Sequence, residues 1–150
     1  MPMGYLNNQR SFLSKKNKMK NPKLVIYWIA TILMSVGMFG SGIAQIIRAK
    51  QMVDIINHVG YPLYVLTILG VWKILGVITI LLPGFKLMKE WAYAGFFFLM
   101  SGALFSHLAL GDSGKAVIGP FMQIVFIVSS WYFRPASRKL VIAEMSSKSI

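Results

Sequence analysis

Four long apolar runs dominate the chain: Leu24 to Ala44, Pro62 to Leu82, Trp91 to Leu110 and Ala116 to Phe133. At a helical rise of about 1.5 Å per residue, each would reach ~27–32 Å, enough to cross a hydrocarbon core of ~30 Å. Lipid offers no partner to an unpaired backbone amide, so an isolated run must satisfy itself as a helix. The pattern predicts an all-α fold, an integral membrane four-helix bundle. The links are short, so consecutive helices should lie side by side and antiparallel, in up-down order. Four such runs in a soluble domain would leave no polar faces to make an exterior.

The first link has a pattern of its own. Met52, Ile55, Ile56 and Val59 repeat at helical spacing, with Gln51, Asp54 and His58 turned elsewhere. Gly60 suits a C-terminal cap and Pro62 a fresh start. This predicts a short amphipathic helix between helices 1 and 2. It would lie along the outer membrane surface, or else cover the mouth of the bundle as a lid. The second link is a Pro83-Gly84 turn followed by Phe85 to Glu90, and the third is the turn-rich Gly111-Asp112-Ser113-Gly114. Glu90 would favour the start of the third span through the helix dipole. Gly37 and Ser41, like Gly102 and Ser106, are small residues four apart, a spacing that lets helices approach closely within or between monomers.

Charge orients the bundle. Arg10, Lys15, Lys16, Lys18, Lys20 and Lys23 precede the first span, Lys86 and Lys89 fill the second link, and Arg134, Arg138, Lys139 and Lys148 follow the last. The opposite side carries Arg48, Lys50 and Lys115. The excess places both termini in the cytoplasm. Residues 1–23 then form a basic, disordered cytoplasmic tail, 24–133 the transmembrane domain and 134–150 a second basic tail. Residues 1–23 do not resemble a cleaved signal, and Met19 offers an alternative start. Tyr27, Trp28, Trp91, Tyr93, Trp131 and Tyr132 at one side, with Tyr61 and Tyr64 at the other, are expected as headgroup anchors.

Composition agrees and excludes several functions. The formal charge is +12 and only 13% of residues are charged, against about a quarter in a soluble domain. The basic residues flank apolar runs, which argues for lipid and against nucleic acid as the partner. There is no cysteine, so disulfides, thiolate catalysis, Cys-type zinc sites and iron–sulfur clusters are out. No hydrolase elbow, phosphate loop or metalloprotease motif is present, and four acids do not make a conventional acid–base site. The expectation is a protein without catalytic activity of its own.

Lys73 carries the most information. It lies near the middle of the second span, where a charge costs about 2.5–3.5 kcal/mol and must find partners inside the bundle. Helical side chains lean toward the helix N-terminus, so Lys73 and His107, on antiparallel spans, lean toward each other. Ser106, Asp112, Ser41, Gln45, Asp54 and His58 share the same half of the membrane. Together they predict a small polar ligand site, open outward, in which lysine and histidine donate to carbonyl oxygens, as a quinone head group would require. A purely structural lock is the competing reading. His58 and His107 lack ligand spacing within one helix, so neither metal nor haem is expected.

Four stretches carry a resemblance: His58-Val59-Gly60-Tyr61-Pro62, Leu69-Gly70-Val71-Trp72-Lys73-Ile74-Leu75-Gly76, Lys89-Glu90-Trp91-Ala92-Tyr93-Ala94-Gly95-Phe96 and Ser106-His107-Leu108-Ala109-Leu110-Gly111-Asp112. Over about Leu24 to Arg134 the chain resembles the DoxX-like family of small bacterial membrane proteins. The resemblance implies a multi-pass protein of the bacterial inner membrane. The family is named for a subunit of a thiosulfate:quinone oxidoreductase, and other relatives are tied to oxidative-stress complexes. It thus implies a membrane or redox protein partner, and its recurring lysine and histidine match Lys73 and His107. Three readings follow: a non-catalytic subunit linked to quinone chemistry, a small transporter or channel element, and a membrane scaffold, any of which could be a homo-oligomer.

Overall fold

The computed structural model describes residues 21–140. It contains five α-helices, α1 Pro22–Ile46, α2 Lys50–Val59, α3 Tyr64–Leu81, α4 Lys86–Ala109 and α5 Gly114–Phe133, and a 3-10 turn, Ala136–Arg138. No strand occurs among the described residues. Helices α1, α3, α4 and α5 are each long and apolar enough to cross a membrane. Each packs against its neighbours in a closed ring: α1 on α3, α3 on α4, α4 on α5, and α5 back on α1. That is the expected up-down bundle.

The core is thin and the exterior apolar. Met34, Met38, Val77, Ile80, Tyr93, Phe96, Met100 and Ile127 form the buried centre. Around it, large apolar side chains such as Ile32, Val36, Ile78, Phe98, Phe105 and Val128 face outward. Water would penalise such a surface, whereas acyl chains accept it. Helices α1 and α3 approach closely because Gly42 faces Gly70: a Cβ at Gly70 would stand 2.7 Å from Gly42 O. Of the small-residue pairs expected at interfaces, Gly37 packs within the bundle against Gln123 of α5, whereas Gly102 faces open space.

Helix boundaries depart from hydropathy where polar residues remain helical. Asn21 caps α1 by accepting from Lys23 N at 3.2 Å, and Pro22 fits the first turn, so the helix starts before the apolar run. Helix α4 starts at Lys86, five residues before its apolar run. Continuing the helix satisfies its backbone at the membrane edge better than a loop would. Pro62 stays outside α3. Helix α2 forms as expected and ends at Gly60 in the left-handed region, φ 83°. Its Met52, Ile56 and Val59 turn toward the bundle, while Ile55 is exposed.

The tail expected over 1–23, with the alternative start at Met19, lies outside the described residues except for Asn21, Pro22 and Lys23. Of the tail expected over 134–150, residues 134–140 are described: Arg134 is buried, and Ala136–Arg138 folds under the end of the bundle where α1 begins and α5 stops.

Candidate functional site

Polar side chains gather at three levels. At mid-depth, Lys73 is 4% exposed. Its Nζ donates to Ser41 Oγ on α1 at 3.2 Å, a reach made possible by the Gly42–Gly70 approach one turn away. An amino nitrogen carries at least two N–H groups, and this hydroxyl takes one. Among the described residues Lys73 forms no ion pair. Lys73 also belongs to the wall of a groove of about 450 Å³ between α3 and α4, with Trp72, Gly76, Trp91, Ala92 and Phe96. Gly76 makes room there: a Cβ would meet the Phe96 ring at 2.6 Å. Trp72 and Trp91 are 66% and 69% exposed, so the groove opens sideways, on the apolar exterior.

At the end where α4 stops and α5 begins, Asp112 sits in the α4–α5 link between two imidazoles. His58 Nε2 of α2 lies 2.8 Å from Oδ1, and His107 Nδ1 of α4 lies 2.7 Å from Oδ2. These two contacts, His107 first, hold the Asp112 carboxyl below the usual aspartate range by favouring its ionised form. Asp54, His58, His107, Asp112 and Ser113 line a shallow mouth of about 300 Å³. The imidazole nitrogens take opposite carboxylate oxygens, which is a hydrogen-bonded clasp. No cluster of three metal-ligating side chains occurs among the described residues.

The site residues expected from the sequence thus divide. His58, Asp54, His107 and Asp112 come together at the mouth. Lys73 stands apart with Ser41, and no hydrogen bond joins it to His107. Ser106 Oγ bonds back to Gly102 O of its own helix at 3.0 Å. Gln45 is buried beside Gly70 with Oε1 unpartnered. One outward-open cavity resolves into a lateral groove and a separate mouth.

Sequence reasoning missed the third level, the end where α1 begins and α5 stops. Lys89, read as an interfacial charge, is 1% exposed. Its Nζ donates to Thr79 O at 2.6 Å, Ile80 O at 2.9 Å and Leu82 O, so one ammonium satisfies three of the carbonyls at the end of α3, and Arg138 reaches the fourth, Leu81 O. Glu90 accepts from Arg134 Nη2 and from Trp131 Nε1. Tyr27 and Tyr93, expected as headgroup anchors, are in the core; Trp28, Trp91, Trp131 and Tyr132 are exposed. Tyr93 Oη and Ser130 Oγ lie 2.7 Å apart, as do Ser130 Oγ and Thr31 Oγ1, and Thr31 donates to Tyr27 O at 2.6 Å. Because Thr31 spends its one proton on Tyr27 O, Ser130 must donate to Thr31 and Tyr93 to Ser130. The only sequence signal was the α1 spacing of Tyr27, Thr31 and Ser35, a polar stripe four residues apart.

A second groove of about 470 Å³ lies between α4 and α5, lined by Tyr93, Phe97, Ile127 and Trp131, with Glu90 as its charged member. That carboxylate is already committed to Arg134 and Trp131. Only the α3–α4 groove has a mid-span cation with donors to spare.

A sequence model of the DoxX-like family matches residues 29–131. No curated protein and no solved structure matches the chain.

Proposed function

This chain belongs to the DoxX-like family of multi-pass membrane proteins, and from that premise we propose that it is a non-catalytic subunit that holds a lipid-soluble quinone for a redox partner. The supporting observation is Lys73: a buried amine in the wall of an apolar, aromatic groove that opens on the lipid-facing side. A water-soluble substrate has no reason to enter from that side. A phospholipid keeps its head at the interface, whereas this polar group sits at mid-depth. A ligand that dissolves in acyl chains yet carries hydrogen-bond acceptors matches both constraints, and quinone carbonyls accept from an amine. Trp72, Trp91 and Phe96 offer ring faces for stacking.

In this reading the protein lies in the bacterial inner membrane with both termini cytoplasmic, as the Lys and Arg excess favours. The Asp112 clasp ties α2 to the opposite end and leaves the lateral groove as the ligand's entrance. The test is extraction in mild detergent followed by solvent release and chromatography of bound quinones. Lys73→Met should lower retention about tenfold or more, the scale of a hydrogen bond to a charged or strongly polar donor. Equal quinone in folded wild type and variant would overturn the proposal.

One observation favours a second reading. Thr31, Ser35 and Gln45 make a buried polar line along α1, and Ser35 Oγ and Gln45 Oε1 lack partners among the described residues. A polar line through a bundle suits a transporter or channel element. Flux into proteoliposomes without quinone retention would select it; neither flux nor retention would select a scaffold.

A further inference from the structure

Three cations converge at the end of the bundle where α1 begins and α5 stops, and among the described residues one acid, Glu90, answers them. Lys89 Nζ and Arg138 Nη1 both approach the same oxygen, Ile80 O, at 2.9 and 3.2 Å. Two positive groups sharing one neutral acceptor repel each other strongly in a poorly solvated site. Glu90 compensates Arg134 through Nη2 alone. Arg134 is 4% exposed, and its Nε and Nη1 are buried without a partner among the described residues. A buried guanidinium with unmade hydrogen bonds is costly and calls for an acceptor.

Arg138 supplies the approach. It is half-buried on the 3-10 turn, stacks over Trp28 at 5.1 Å and reaches Tyr27 Oη at 3.4 Å. Arg134 lies over the Tyr93 ring at 5.2 Å. Aromatic faces fix both guanidinium planes; Arg138 Nη1 and Arg134 Nη2 are taken by protein oxygens, and the remaining N–H groups of the two forks are the ones left for an oxyanion. The stronger reason is balance: Lys89 has spent its donors on carbonyls, which neutralise no charge.

We propose that this end of the bundle is a binding site for a phosphate-type oxyanion, contacted by Arg138 and Arg134, with Lys89 adding charge behind them. The phosphate can belong to an anionic phospholipid of that leaflet or be free in solution. Both present the same tetrahedral oxygens to the guanidinium forks. The site is separate from the Lys73 groove, and it can fail without touching the quinone reading.

The test uses the full chain in mild detergent, native mass spectrometry and three probes: phosphatidylglycerol, phosphatidylcholine and inorganic phosphate. Phosphatidylglycerol should be retained in preference to phosphatidylcholine. Arg138→Gln should weaken that retention about fivefold, the scale of one basic residue facing an anionic lipid. Lys115→Gln, at the opposite end, should not. Arg138 is chosen because losing Arg134 would strand Glu90 and could unfold the chain. Displacement of the lipid by millimolar phosphate supports a site open to the free anion, and retention in its presence supports the lipid as the source. Equal retention of the two lipids, or an Arg138→Gln protein that binds as wild type does, overturns the site.

Discussion

At the scale of single residues, the polar groups of this bundle differ in how completely they are answered. Asp112 is answered twice, and the sign of its pH dependence follows. Two hydrogen bonds lower the carboxyl below the usual aspartate range in the folded protein. The stabilisation is therefore complete above that range and is lost as the pH falls through the lowered value. Amides of α2 should exchange faster with solvent only in strongly acidic buffer, and in Asp112→Asn they should exchange fast at neutral pH as well. Unchanged α2 protection in that variant would show that the clasp does not hold the surface helix. Lys73 was legible because a lysine in a greasy run is improbable by cost alone. Lys89 was not, because charge at a span's edge indicates depth and says nothing of direction. The Tyr93–Ser130–Thr31 chain was hidden for another reason. Thr31 and Ser130 stand 99 residues apart in the chain, on α1 and α5, and no local pattern pairs them.

Among elements, the contact of α1 with α3 sets the geometry around Lys73. A methyl group at Gly70 would meet Gly42 O and Ile46 Cγ1, both at 2.7 Å, so the helices would have to part. Gly70→Ala should cost about 1–3 kcal/mol, the range of overpacking, and lower the melting temperature in detergent. Gly102→Ala adds its methyl to open space inside a helix, where alanine is the better helix former, and should hold or raise that temperature. Should both variants melt alike, the close approach is not a stabilising contact. The four spans and the amphipathic α2 were readable from periodicity and hydropathy. The first turns of α4 were not, since a scale that scores only greasiness reads Lys86, Lys89 and Glu90 as loop.

For the whole molecule, the up-down order requires both termini to emerge on one side. Single cysteines introduced near each terminus of this cysteine-free chain should react with a membrane-impermeant reagent from the same compartment. Labelling from opposite compartments would break the ring order of α1, α3, α4 and α5. The overall architecture was predictable because lipid narrows the choices for a backbone so severely. The division of the polar residues into groove, mouth and terminal cluster was not, since it depends on which helix faces turn toward each other. The Lys89 ammonium has one more implication, for biogenesis. It closes the end of α3 from the very next helix in the chain, so the α3–α4 pair carries its own seal. Such a hairpin can leave the insertion machinery with three of the carbonyls at its bend already paired before α5 has been synthesised, and only Leu81 O waits for Arg138, which follows α5.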